Sequence, residues 1–196
     1  MQVSMRHTLL SAAIVVMVAA CSSTSGTKPS SSATPKPVPV PTTSTAKSAT
    51  ANLASASGSL VSGKLTLVPM RDGVHITGEI GGLGAGKTHA IHVHEKGDCS
   101  AVDASSAGGH FNPTGSTHGR SGTGTHHAGD MDNIVADADG VAKINIHLVG
   151  VTLGGGAYND IVGRAVVVHA AADDYRSQPA GNSGARVACG VINVTQ

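Results

Sequence analysis

Between His89 and Asp130 the chain reads H-A-I-H-V-H-E-K-G-D-C and then, after ten residues, H-F-N-P-T-G-S-T-H-G-R-S-G-T-G-T-H-H-A-G-D. Seven of its eleven histidines lie in this stretch, in a protein with one Phe and no Trp. The neutral imidazole offers two distinct nitrogens, which makes histidine the commonest metal ligand. Most of the stretch is rich in glycine and threonine. A long loop of that kind is ordered only if something outside it supplies the order, and bound metal together with a covalent tie would do so. The density of ligands, closed by Asp130, points to more than one metal ion.

The frame that holds such a loop reads as strands. Lys64–Met70 and Val74–Ile80 flank Arg71-Asp72-Gly73, a hairpin signal. Thr88–His94, Asn133–Ala136, Ala142–Leu148, Val162–His169 and Val187–Val194 are further short β-branched runs, and Asp137-Ala138-Asp139-Gly140 makes a second tight turn. Roughly eight such strands predict an antiparallel sandwich or barrel. Two connections exceed a simple turn, Glu95 to Met131 and Ala170 to Arg186. Connections of that length in a compact domain are usually functional or disordered.

The remainder of the chain is organised differently. Residues 1–20 contain Arg6, an apolar run from Leu9 to Val18 and the small pair Ala19-Ala20. The run is too short to span a bilayer, and the pattern is that of a secretory signal peptide. Val18-Ala19-Ala20-Cys21 resembles a bacterial lipobox. That likeness implies cleavage before Cys21 and lipid attached to it. Residues 21–50 are Ser, Thr, Pro, Lys and Ala after the cysteine, a linker composition stiffened by Pro35, Pro37, Pro39 and Pro41. The folded domain is expected over 51–196, where nine basic and twelve acidic residues leave a net charge of −3. No basic stripe marks a nucleic-acid partner. With Cys21 assigned to lipid, Cys99 and Cys189 form an even pair in an exported chain, and a disulfide is the default in an oxidising compartment.

Residues two apart on a strand face the same side, so His92 and His94 project together. His110, His118, His127 and Asp130 follow in the loop, and His169 ends a Val-Val-Val run that lies far along the chain. Nitrogen and carboxylate ligands suit tetrahedral zinc, and imidazoles suit copper as well. Spacing alone does not choose the ion.

I-H-V-H-E-K-G-D-C, A-G-G-H-F-N-P, G-R-A-V-V-V-H-A-A-A-D-D and G-N-S-G-A-R-V-A-C-G-V-I together resemble the copper-zinc superoxide dismutase family over nearly all of residues 51–196. The resemblance implies an all-β fold, an eight-stranded antiparallel Greek-key barrel or sandwich with two long functional loops. It implies one copper per subunit on His92, His94, His110 and His169, and one zinc on His110, His118, His127 and Asp130. His110 would bridge the two ions as an imidazolate. Asp173 would link a copper ligand to a zinc ligand by hydrogen bonds, and Arg186 would draw superoxide in and dock it. The implied reaction is a redox cycle that turns two superoxide ions into O₂ and hydrogen peroxide. In that cycle His110 leaves the bridge and gains a proton, then returns. His89 matches a position that holds loop backbone, whereas His126, His75 and His147 are expected to bind no metal.

The match departs from its relatives after His169, where Ala170 and Ala171 replace the charges common in higher organisms. Lys96 and Arg120 are the substitutes expected to steer substrate. The leading expectation is an exported, lipid-anchored enzyme of the periplasm and cell envelope, monomeric or homodimeric. Ser22 after Cys21 lacks an acidic retention signal and points to the outer membrane of a Gram-negative cell. The alternative is a non-catalytic copper and zinc binding or delivery module on the same fold.

Overall fold

The computed structural model describes residues 43–196. The expected signal peptide, the lipidation at Cys21 and the linker as far as residue 42 lie outside the described residues. Nine short strands follow in order: β1 Ala49–Ser55, β2 Ser62–Met70, β3 Gly73–Gly81, β4 Thr88–His89, β5 Ile91–His94, β6 Ile134–Val135, β7 Ala142–Val149, β8 Ala165–His169 and β9 Arg186–Val194. A single 3-10 turn, Ser105–Ala107, is the one helical element among the described residues. The all-β antiparallel class read from the sequence is the class observed.

Seven strands form one sheet in the order β5-β8-β9-β1-β2-β3-β7, and every pair is antiparallel. Alternation decides which face turns inward. Leu65 and Leu67 on β2, Val74 and Ile76 on β3 and Ile144 and Leu148 on β7 are buried, while the residues between them are half-buried or exposed. Ile91 and Val93 from one end of the sheet share a single core with Ile144 and Leu148 from the other end. The sheet therefore curls around that core. Each such Leu, Ile or Val contributes about 1.5–3 kcal/mol of burial.

β8 is buried on both faces, and this is where the first long loop is anchored. Val166 and Val168 point to the main core, whereas Ala165 and Val167 pack outward against Ala56, Ala104, Ala107 and Cys189. The Cys99–Cys189 disulfide closes this layer, joining the loop to β9 across a sequence separation of 90. The loop also covers β5, which is an edge strand of the sheet. Phe111 N donates to Val93 O at 2.8 Å, Val93 N to Gly129 O at 2.9 Å, and Gly129 N to Phe111 O at 2.9 Å. Isolated bridges pair His94 with His110 and His92 with Asp130. A side chain at position 129 would run into the Val93 carbonyl, so only glycine permits this approach.

Two expectations about segmentation change. The run Thr88–His94 is divided at Ala90, because its two halves pair with different partners: β4 with β6, and β5 with β8. Ala90 spends its N–H on Ala171 O and its C=O on His169 N, both at 2.9 Å, instead of on a continuous ladder. The folded region also begins before residue 51. Ala49 and Ala51 are buried, β1 pairs with β2 and β9, and Ala46 N donates to Leu153 O at 3.0 Å. Small residues between Thr and Ser read as linker by composition; here the neighbouring strands supply the partners.

Opening the disulfide is expected to cost about 4–5 kcal/mol, the chain-entropy value for a loop of this size. Urea unfolding of the protein with and without reductant, or of C99S/C189S, measures it. Equal midpoints would show that the loop is ordered by other means.

Candidate metal centre

β5 is the rigid part of the site. His92 and His94 leave it on the same side, and the covering loop strand sets His110 and Asp130 beside them. His169 arrives from the end of β8, which pairs with β5. His118 and His127 come from the glycine-rich part of the loop. The result is two sets of four ligands, His92, His94, His110 and His169, and His110, His118, His127 and Asp130. Within each set the ligand atoms lie within 4.8 Å of one another, and all residues are buried. His110 belongs to both.

The hydrogen bonds decide which nitrogens are left for a metal. His92 Nε2 donates to Asp173 Oδ2 at 2.8 Å, and His94 Nδ1 donates to Gly108 O at 2.9 Å. His118 Nε2 donates to Asp173 Oδ1 at 2.9 Å. Each acceptor fixes the proton on the named nitrogen, so the opposite nitrogen carries a lone pair. Those lone pairs converge. His94 Nε2 sits 3.4 Å from His169 Nε2, and His118 Nδ1 sits 3.0 Å from Asp130 Oδ2 without hydrogen-bond geometry. His92 Nδ1, His110 Nε2 and His118 Nδ1 are buried with no hydrogen-bond partner in the protein. Buried polar atoms of this kind are costly, and lone pairs facing one another repel. A cation in each set removes both problems, so the residues fit copper and zinc.

Asp130 and Asp173 carry the negative charge of the site. Asp130 Oδ1 lies 2.8 Å from His110 Nδ1, and its Oδ2 accepts from His127 N at 2.8 Å and Gly119 N at 3.1 Å. Burial alone would raise its pKa, but these hydrogen bonds outweigh burial and hold it well below the carboxylate range. Asp173 is lowered in the same way, against burial, by His92, His118 and the Tyr175 N–H. Burial, and then the charge on His92, pushes His169 down to about 3, and burial brings His110 to about 4 despite Asp130. His94 is also well below its ordinary value, through burial and His110.

A cavity of about 660 Å³ opens onto the first set, lined by His94, His110, His169, Gly184 and Arg186 among others. Arg186 Nη1 donates to Ala104 O and Nη2 to Gly108 O, both at 2.6 Å, which holds the guanidinium against the first loop at the cavity wall. Neither Lys96 nor Arg120 lines this cavity, and Arg120 Nε is engaged by Asp132 Oδ1 at 2.9 Å. His89 Nδ1 bonds His169 O at 2.9 Å and holds backbone, while His126 bonds only the Gly124 carbonyl. His75 and His147 bond Asn145 and Asp72 on the outer sheet face.

Several supporting residues carried no signal in the sequence. Gln178 clamps His118 through two bonds of 2.9 Å, accepting from its N–H and donating to its C=O. Asn133 pairs with the Asp173 backbone at 2.8 and 2.9 Å, and its own N–H donates to Tyr175 Oη at 2.8 Å. Ser183 Oγ lies 3.1 Å from His169 Nδ1. Gly181, at φ 65°, passes so close to Asp173 Oδ1 that a Cβ there would collide with it. Side-chain contacts between loops leave no periodicity to read.

Comparison with known proteins follows the same outline. A sequence model described as copper/zinc superoxide dismutase matches residues 61–192. A superoxide dismutase (Cu-Zn) 2 of Aquifex aeolicus is 42% identical over 147 residues, 74% of this chain and 85% of that one. A superoxide dismutase (Cu-Zn) of Caulobacter vibrioides is 44% identical over 136 residues, 67% and 78% of the two chains. A crystal structure of a double mutant of a SOD-like protein from Bacillus subtilis superposes with a TM-score of 0.67 at 37% identity, covering 74% of this chain and 96% of that one.

The depressed histidines make metal-free protein acid-sensitive. Their folded pKa lies below the unfolded value, so the unfolded chain binds protons first, and stability falls as pH drops from about 6.5 towards 4. His110 alone, moved from 6.5 to about 4, accounts for roughly 3 kcal/mol. Urea midpoints of metal-free protein at neutral pH and at the acid end of that window check this; the same midpoint at both would refute it.

Proposed function

Because the chain belongs to the copper/zinc superoxide dismutase family, we propose that it converts two superoxide ions and two protons into O₂ and hydrogen peroxide, with copper on His92, His94, His110 and His169 and zinc on His110, His118, His127 and Asp130. One observation carries this reading: two complete sets of buried ligands share the ring of His110 at the foot of a cavity that Arg186 lines. Bound copper supplies the one-electron couple for both halves of the reaction, and bound zinc, which has no redox chemistry, supplies fixed charge.

The protein's own residues do the rest. Arg186 keeps its charge at all working pH values and faces the cavity, so it attracts superoxide and orients it. Glu95 is the one carboxylate among the residues that line this cavity, and its Oε1 accepts from Gly109 N at 3.2 Å. His110 Nε2 is the atom placed to take a proton and return it, because it is buried, has no protein partner and belongs to a ring shared by both ligand sets. Its Nδ1 lies on the opposite side of the ring, 2.8 Å from Asp130 Oδ1, within the set that would hold zinc, so the ring is fixed from that side. Asp173, reaching His92 with one oxygen and His118 with the other, fixes the spacing of the two sets.

The complete ligand sets, with Arg186 in place, favour the enzyme over a module that only stores or delivers metal. We further place the mature protein in the cell envelope, exported and anchored to membrane through lipid on Cys21. That part rests on the signal-like residues 1–20 and the Val18-Ala19-Ala20-Cys21 sequence. Among the described residues no helix is long and apolar enough to cross a membrane.

Protein loaded with copper and zinc is expected to dismutate superoxide far faster than an equal concentration of free copper. R186A should lose about tenfold or more of that rate at low salt, with both metals retained. A loaded wild type no better than free copper would leave the metal-delivery reading standing.

A further inference from the structure

His169 is the last residue of β8, and the register with β9 shifts between Val168 and His169. The pleat therefore does not by itself aim the ring, and something else must. Ser183 is 3% exposed and sits in the second long loop, where its carbonyl accepts from Ala171 N at 2.9 Å. Its hydroxyl has a single hydrogen, which it gives to Ala180 O at 2.9 Å. Towards His169 Nδ1, 3.1 Å away, Ser183 Oγ consequently presents a lone pair, and the ring nitrogen is the donor. The alternative acceptor, Gly184 O, is 3.4 Å away, beyond the usual range for an N–H donor.

We propose that Ser183 is a positioning residue for the copper site: its hydroxyl oxygen fixes the proton of His169 on Nδ1, turns the unprotonated Nε2 towards His94 Nε2 and strengthens that nitrogen as a donor. The chain Ala180 O, Ser183 Oγ, His169 Nδ1 is a relay of polarised bonds, each end set by the one before. A stronger imidazole donor favours the oxidised, more highly charged ion over the reduced one. Ser183 thus biases the potential of the copper couple without touching substrate. The inference rests on the copper assignment above.

The experiment uses the full chain loaded with both metals, as wild type, S183A and S183T. S183A should bind copper(II) about tenfold more weakly, the lower end for loss of a partner behind a ligand. With copper(I) affinity unchanged, that tenfold change corresponds to a potential higher by about 59 mV. The copper(II) absorption and EPR spectra should shift, zinc affinity should hold, and S183T, which keeps the hydroxyl, should return the potential towards wild type. An S183A protein with wild-type potential and copper(II) affinity would overturn the inference. So would equal loss of copper and zinc affinity, which marks a general loosening of the loop, or S183T behaving as S183A. Failure of the copper assignment shows separately, as a wild-type copper spectrum that H169A leaves unchanged.

Discussion

The ring of His110 is claimed from both sides. Its Nδ1 faces Asp130 and His127, and its Nε2 is buried with no protein partner beside the set that His92, His94 and His169 form. No other side chain offers two nitrogen ligands across one small ring, so a residue that serves both sets has to be histidine. The requirement propagates outward. His110 must lie next to β5, which it does because loop backbone at Phe111 and Gly129 completes the β5 edge. Asp130 follows on the same stretch, and the carboxylate and the imidazole are delivered together.

Burying so many nitrogens has a large desolvation cost, and the two loops that enclose them have little apolar surface with which to offset it. Four other devices stand in. The disulfide ties the first loop to β9, and β8 lends that loop an apolar underside through Ala104 and Ala107. Polar contacts then lock the loops to each other: Asp173 to His92 and His118, Gln178 to the His118 backbone, and Asn133 to Asp173 and Tyr175. Metal completes the set, so ligand binding and loop order are one equilibrium seen from two ends. The curled sheet, by contrast, has a continuous apolar core of its own and holds β5 and β8 in place.

What could be read in the chain and what could not divide along a physical line. His92 and His94 were legible because a strand imposes a period of two, and Cys99 with Cys189 because the chain has few other thiols to pair. Ligand identities in the loops came from family likeness, since no periodicity constrains Gly-rich backbone. β1 was missed because Ala49 and Ala51 bury too little surface to stand out in composition; their place is set by partners on β2 and β9. The division at Ala90 was equally invisible, because the choice between β6 and β8 as partner is made in three dimensions. The pairing of Arg120 with Asp132 was equally hidden, because residues twelve apart in a loop meet only once it is folded. Gln178, Gly181 and Ser183 act through a carbonyl, a missing Cβ and a single hydroxyl, none of which a sequence pattern announces.

Crystals of the full chain grown with copper and zinc, with anomalous diffraction recorded at both absorption edges, test the shared histidine most directly. A copper peak bounded by His92, His94, His110 and His169 is expected, with a separate zinc peak bounded by His110, His118, His127 and Asp130 and the His110 ring between them. A single peak, or two peaks of which only one contacts His110, would contradict the bridge on which the arrangement depends.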